Sequence, residues 1–72
     1  MASAYHKAEV ARQEAVQSNA SILMKTSKDY AGDGDYLKAA LVAKEAMKPI
    51  SKNMKYYNTL KAEEFSIFNS VI

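Results

Sequence analysis

Cysteine and tryptophan are absent from this chain, and histidine and proline occur once each, as His6 and Pro49. Without cysteine there is no disulfide and no thiolate metal site, and a lone histidine makes no histidine cluster. The lack of cysteine leaves localisation open, because a reduced cytosol and an exported cysteine-free filament both permit it. No segment approaches the roughly 18 apolar residues of a membrane-spanning helix. The longest uncharged run, Ala15 to Met24, is broken by Gln17, Ser18, Asn19 and Ser21. Residues 1–14 carry Lys7, Glu9, Arg12 and Glu14 and no apolar signal region. The expectation is a soluble chain, or one exported by a route that leaves no such mark.

A chain of 72 residues is one domain at most. A single core of this size rarely supplies more than about 3–5 kcal/mol, and natural small proteins usually add a disulfide, a metal or an oligomeric partner. The first two have no residues to make them. Packing on a copy or on another helical protein is the expected remaining support.

The only two glycines stand close together near the midpoint, in Gly32-Asp33-Gly34-Asp35. Both flanks are rich in alanine and other helix formers. The pattern predicts two helical arms and a tight turn. Gly32 suits the position just past a helix end, where a left-handed conformation costs glycine nothing. Asp33 or Asp35 suits the N-cap of the next helix, with a negative charge at the positive end of its dipole.

Residues 4–31 contain neither glycine nor proline. Ala4, Ala8, Ala11 and Ala15 recur at helical spacing, and the stripe continues through Asn19, Ile22, Thr26 and Tyr30, with Leu23 beside it. One long helix is expected, although Ser18 or Asn19 could cap a new helix from Ala20. In the second arm Tyr36, Ala40, Ala43, Met47, Ile50, Met54 and Tyr57 alternate by four and three, a heptad period that runs through Pro49. Proline removes a helical hydrogen bond and crowds the preceding turn. The arm therefore either kinks near residues 45–49 or splits into helices of about 36–47 and 50–71. The unbroken phase favours a kink or a very short break. Beyond Tyr57, Lys61 falls where an apolar residue was due, and the end, residues 65–72, is apolar on more than one face. The fold class is all-α: a single domain over residues 1–72, a helical hairpin that a split at Pro49 would turn into a three-helix bundle.

Catalytic chemistry has no foothold. His6 lies near a terminus with no nucleophile to activate. Glu63 and Glu64, being adjacent, point about 100° apart on a helix of 3.6 residues per turn. Asp29, Asp33 and Gly34 mimic part of a calcium loop, but Ala40 occupies the place of its bidentate glutamate, so turn and cap roles are expected instead. Lys44, Lys48, Lys52 and Lys55, with Tyr56 and Tyr57 alongside, would share a face of a continuous helix and could follow phosphates. Yet arginine, the usual reader of bases, occurs once, and lysines opposite an apolar seam are ordinary solubilising residues. Met24, Met47 and Met54 read as adaptable core. No enzyme activity, small-molecule substrate, cofactor, metal or nucleic-acid partner is expected.

Two resemblances suggest classes of function. Gly34-Asp35-Tyr36-Leu37-Lys38-Ala39-Ala40 with Ala46-Met47, and Ser27 and Tyr30 upstream, resembles a single tetratricopeptide repeat over about residues 20–50. The related three-helix domains that bind trafficking partners share this Gly-Asp-Tyr turn. That similarity implies an adaptor that binds a peptide or helix of a partner protein. Asn58-Thr59-Leu60-Lys61 and the apolar end through Ile72 resemble the C-terminal arm of type III secretion needle subunits, without their proline-flanked loop. That similarity implies self-assembly of hairpins. The leading expectation is an assembly or interaction protein that associates through apolar helix faces. Its contact residues would be Met54, Tyr57, Leu60, Phe65, Phe68, Val71 and Ile72. The adaptor is the alternative.

Overall fold

The computed structural model describes the backbone of residues 4–71 and the side chains of residues 4–70. It contains α1 (Ala4–Gly32), α2 (Tyr36–Met47) and α3 (Tyr57–Val71), with no strand among the described residues. The class is all-α, as expected, and all three helices pack on one another.

α1 runs without a break through Ser18 and Asn19. Its buried face differs from the expected one. Gln17, Ala20, Met24 and Ser27 are buried, whereas Ala4, Ala8, Ala11, Ala15 and Asn19 are exposed and Ile22 is 63% exposed. Alanine fits any helix surface at little cost, so its spacing does not fix the rotation. Met24 supplies the largest buried apolar side chain of α1, and small Ala20 and Ser27 on either side let another helix approach.

That helix is α2, which lays Ala39, Ala43 and Ala46 on α1, each fully buried. The Ser27 hydroxyl donates to the Ala39 carbonyl inside the seam. The α2 face is thus rotated by about a residue from the predicted one. Ala43 belongs to both, but Tyr36 is 46% exposed and Ala40, Met47 and Ile50 are half-buried.

The turn reverses at residues 33–35. Gly32, expected beyond the helix, is its last residue, and Gly34 takes the left-handed conformation with φ 83°. The Asp35 N–H donates to the Tyr30 carbonyl at 2.9 Å, and the Gly34 N–H to the Ala31 carbonyl at 3.1 Å. This bonding pattern is the Schellman motif, which satisfies carbonyls left open at a helix end. Asp35 then caps α2, its carboxylate accepting from the Lys38 N–H at 3.3 Å.

The two glycines should therefore respond with opposite sign. A Cβ at either would meet nothing within 4 Å, so only backbone conformation counts. Gly34→Ala should lose about 1–2 kcal/mol from the left-handed penalty. Gly32→Ala should gain about 0.5–1 kcal/mol, as alanine does inside a helix. Thermal melts of the two variants check this.

Pro49 ends the second arm more completely than the heptad phase implied. α2 stops at Met47, and residues 48–56 form a turn-rich link rather than a kink. Proline has no N–H for the Glu45 carbonyl and clashes with that turn. The Glu45 carbonyl accepts instead from the Lys48 N–H at 3.3 Å. The link sends the chain back, so the split alternative, a three-helix bundle, is the observed fold. Met54 and Leu60 are buried, as is Ile67. Lys61 no longer interrupts a stripe, because α3 starts its own phase at Tyr57.

Neighbours define the direction of α3. Gln17, Ser18 and Ser21 of α1 share a groove with Tyr56, Thr59, Leu60 and Glu63. At the other end, Lys28, Ala31 and Gly32 lie with Tyr36 of α2 and Ser66, Ile67 and Ser70. α3 is therefore parallel to α1 and antiparallel to α2. Gln17, only 4% exposed, fixes the return. Its amide oxygen accepts from the Tyr56 N–H at 2.7 Å, and its amide nitrogen donates to the Gln13 carbonyl at 3.1 Å.

The molecule measures 50 × 16 × 13 Å, with a radius of gyration of 14.0 Å. A compact domain of this length would have a radius near 11 Å. The excess comes from α1, about 43 Å long against about 18 Å for α2. From Gln17 back to Ala4 is about 20 Å of helix, and no other helix covers its start.

Candidate docking surface

The seven residues expected to make contacts divide according to where α3 turns back. Met54 and Leu60 are 9% and 2% exposed, within the chain's own core. This corrects the expectation that they face a partner: the link after Pro49 carries them inward. Tyr57 and Phe68 are half-buried, and Phe65 is 68% exposed. Val71 closes α3, but its side chain lies outside the described residues, as does Ile72 altogether. Ile67, within the apolar end, is 2% exposed.

Two surface residues escaped the periodicity. Leu37 and Leu41 of α2 are 73% and 55% exposed. They stand one turn apart on a common ridge, with Lys44 and Lys48 continuing it at helical spacing. The ridge points away from Ala39, Ala43 and Ala46. The stripe expected on this helix runs instead through Tyr36 and Ala40. The signal available was the leucine pair itself, four residues apart and out of phase with that stripe.

α3 has two flanks. Thr59, Glu63, Ser66 and Ser70 turn toward α1, and Lys28 meets Glu63 across the groove at 3.4 Å. Lys61, Phe65 and Phe68 occupy the other flank by helical phase. The outer surface of the bundle is thus apolar at Leu37, Leu41 and Phe65, with lysines around it. The Lys61 ammonium bonds Glu64 at 3.1 Å, which favours its charged form and raises its pKa.

A groove of about 270 Å³ separates α1 from the start of α3. It continues toward the start of α1 past Val10, Gln13 and Glu14, with Lys55 and Tyr56 opposite. Lys55 stands 5.4 Å from the centre of the Tyr56 ring. Both grooves are open clefts walled by polar and charged side chains together with Tyr56, Leu60 and Val10. Nothing in them pairs a nucleophile with a base.

Charge is unevenly placed along the long axis. Lys44, Lys48, Lys52 and Lys55 gather where α2 ends and α3 begins. They do not form the single helical strip expected, because only Lys44 is on a helix and Lys48, Lys52 and Lys55 lie in the link. Asp29, Asp33 and Asp35 gather at the opposite end, around the hairpin turn. Among the described residues no group of three or more His, Cys, Asp or Glu side chains is placed to hold a metal ion. None of their helices is long and apolar enough to cross a membrane.

On the α1 arm, Glu9 is bound by Arg12 at 2.6 Å and by Gln13 at 3.3 Å. These bonds, the Arg12 one first, pull its pKa from 4.5 down to about 2. A depressed carboxylate pKa means the folded state holds fewer protons than the unfolded state between those values. The pair therefore supports the helix above about pH 4.5 and ceases to do so as pH falls toward about 2. Carboxyl titration followed by NMR should show Glu9 titrating late, and Arg12→Ala should move it back toward 4.5.

Comparison with protein-family models, characterised proteins and solved structures gives no match to this chain.

Proposed function

We propose that this chain is a non-enzymatic interaction protein that associates through apolar helix faces, with copies of itself or with another helical protein. The observation that carries the reading is the exposure of Leu37, Leu41 and Phe65 on a molecule whose own core is closed. Single exposed apolar residues are ordinary. An exposed leucine pair one turn apart, with an exposed phenylalanine on another helix of the same small bundle, is apolar surface of the kind that marks a contact. The α1 arm, uncovered over its first turns, supports self-association.

The adaptor reading draws on a separate observation. α3 folds back to complete three helices, so Leu60 and Ile67 already have intramolecular partners. The exposed apolar side chains of α2 and α3 would then contact one amphipathic helix that presents apolar residues at i, i+3, i+4 and i+7.

The test combines sedimentation with selection of amphipathic helical peptides, using the parent chain and the triple variant Leu37→Glu, Leu41→Glu, Phe65→Glu. All three sites are exposed, so helicity should survive. The parent should form larger species, or bind selected peptides, and the variant should do neither. If the variant matches the parent in both assays, the proposal is wrong. A monomeric parent whose peptide binding is lost in the variant assigns the face to a foreign helix.

A further inference from the structure

We infer that the specific partner is a second copy docked head to tail, with the acidic hairpin end of one molecule seated on the basic end of the next. The inference rests on the self-association arm of the proposed function and adds the geometry.

Three features of one molecule fit three features of its neighbour. The first is charge. Lys44, Lys52 and Lys55 form no ion pair among the described residues, while Lys48 has only a 4.0 Å contact with exposed Glu45. At the other end Asp29 and Asp33 form no ion pair either; of the lysines nearest the turn, Lys28 is engaged with Glu63 and Lys38 with Asp35, while Lys25, a turn before Asp29, forms none among the described residues. The helix ends add to this polarity. The hairpin end contains the C-termini of α1 and α3 and the N-terminus of α2. Two negative dipole ends thus meet one positive end.

The second feature is shape. The α1 arm runs past the basic end and makes a step. The floor is the link with Lys48, Lys52 and Lys55, and the wall is the start of α1. Val10, Gln13 and Glu14 line the corner with Lys55 and Tyr56. Beyond that corner the wall, residues 4–10, is about 9 Å of helix, enough to flank the first turn or two of a neighbour's α2. A neighbour whose hairpin end rests on the floor therefore lies alongside the arm.

The third feature is apolar surface. Tyr5, 82% exposed, and Val10, 41% exposed, lie on the wall. Leu37 and Tyr36, at the start of α2, lie just beside the acidic turn that meets the floor. Stacking brings these exposed groups to the same level. Because the two contact surfaces differ and lie at opposite ends, the interface is heterologous and repeats into an open chain rather than closing into a dimer.

The experiment uses complementary charge reversal. One variant carries Lys52→Glu and Lys55→Glu, the other Asp29→Lys and Asp33→Lys. The first variant keeps the aspartates and loses the net positive charge of the opposite end, the second keeps the lysines and loses the net negative charge of the hairpin end, so each alone lacks one of the two complementary surfaces and should stay at the 8.0 kDa monomer mass. Their equimolar mixture should assemble, alternating along the chain, and circular dichroism should show both variants as helical as the parent. The parent should assemble at about 0.01 M salt, where the Debye length is about 30 Å, and dissociate near 1 M, where it is about 3 Å. A parent that is monomeric at low salt overturns the inference, as does a mixture that behaves like the sum of its components. Should the parent associate equally at all salt concentrations and lose association only in the Leu37, Leu41, Phe65 variant, the head-to-tail geometry is wrong while the proposed apolar contact stands. A monomeric parent that binds helical peptides through that face likewise rejects the copy and keeps the docking function.

Discussion

Met24→Ala should leave most of the chain unfolded at room temperature. Met24 is fully buried in the C-terminal half of α1, in the core that α1 shares with Ala39, Ala43, Ala46, Leu60 and Ile67. Truncating a buried methionine to alanine removes transfer energy and leaves a cavity, together about 2–5 kcal/mol. A core of this size supplies only about 3–5 kcal/mol, so the loss is comparable to the whole stability. The seam alanines cannot fill the gap, since they have no longer rotamer to reach with. Urea titration followed by circular dichroism measures the effect. Leu at the same position is nearly isosteric and should cost less than about 1.5 kcal/mol. A melt for Met24→Ala within 2 °C of the parent, where 1 kcal/mol is worth roughly 4–8 °C, would show that the site is less well packed than described.

Ala43→Leu should be nearly as damaging for the opposite reason. Ala43 is 0% exposed in the seam between α1 and α2, with Ala39 and Ala46 a turn away on either side. Three added carbons have no space there unless the helices separate. Overpacking a core costs typically 1–3 kcal/mol. Separation would also stretch the bond from Ser27 to the Ala39 carbonyl, leaving a buried hydroxyl without its partner, which adds about 1–3 kcal/mol. By contrast, Ala40→Leu, three residues away and half-buried, should be tolerated. Equilibrium melts of the pair separate a specific seam from general crowding. Equal destabilisation would contradict the close helix approach.

These two sites also show what could be read from residue order. The reversal was legible because only glycine tolerates the required backbone, and two glycines at the midpoint left no other place for it. Which glycine carries the strain was not, because Gly32 and Gly34 differ only in how far α1 winds before it stops. The rotation of α1 was hidden for a related reason. Ala4, Ala8, Ala11 and Ala15 mark a periodic face, but alanine carries too little area to pull that face inward. Gln17 gave no periodic signal at all. A glutamine reads as surface until a backbone N–H from elsewhere in the chain, here Tyr56, makes its burial favourable.

The third helix was the harder problem. The heptad spacing from Tyr36 to Tyr57 persisted across Pro49 by coincidence of count, and so favoured one bent arm. The exposed contact surface was correspondingly misplaced toward Met54 and Leu60. Phe65 was assigned to the surface and is exposed; Leu37 and Leu41 were not assigned and are exposed. Their outward position depends on which side of α2 meets α1, and alternating alanines leave that choice open.

The tie between Gln17 and Tyr56 has a temporal consequence. It joins residues 39 apart, while Ser27 and Ala39 are only 12 apart. Closing a longer loop costs more chain entropy before any contact repays it, so the α1–α2 pair can zip from the turn while α3 still wanders. Docking of α3 then becomes the last step of folding and the first of opening. Native-state hydrogen exchange should show this as a ladder, with amides of α3 trading with solvent through a smaller opening than those around Met24 and Ala43, and a single shared rate for all three helices would rule it out. The glutamine that looks like a structural pin is, on this clock, the latch that closes last.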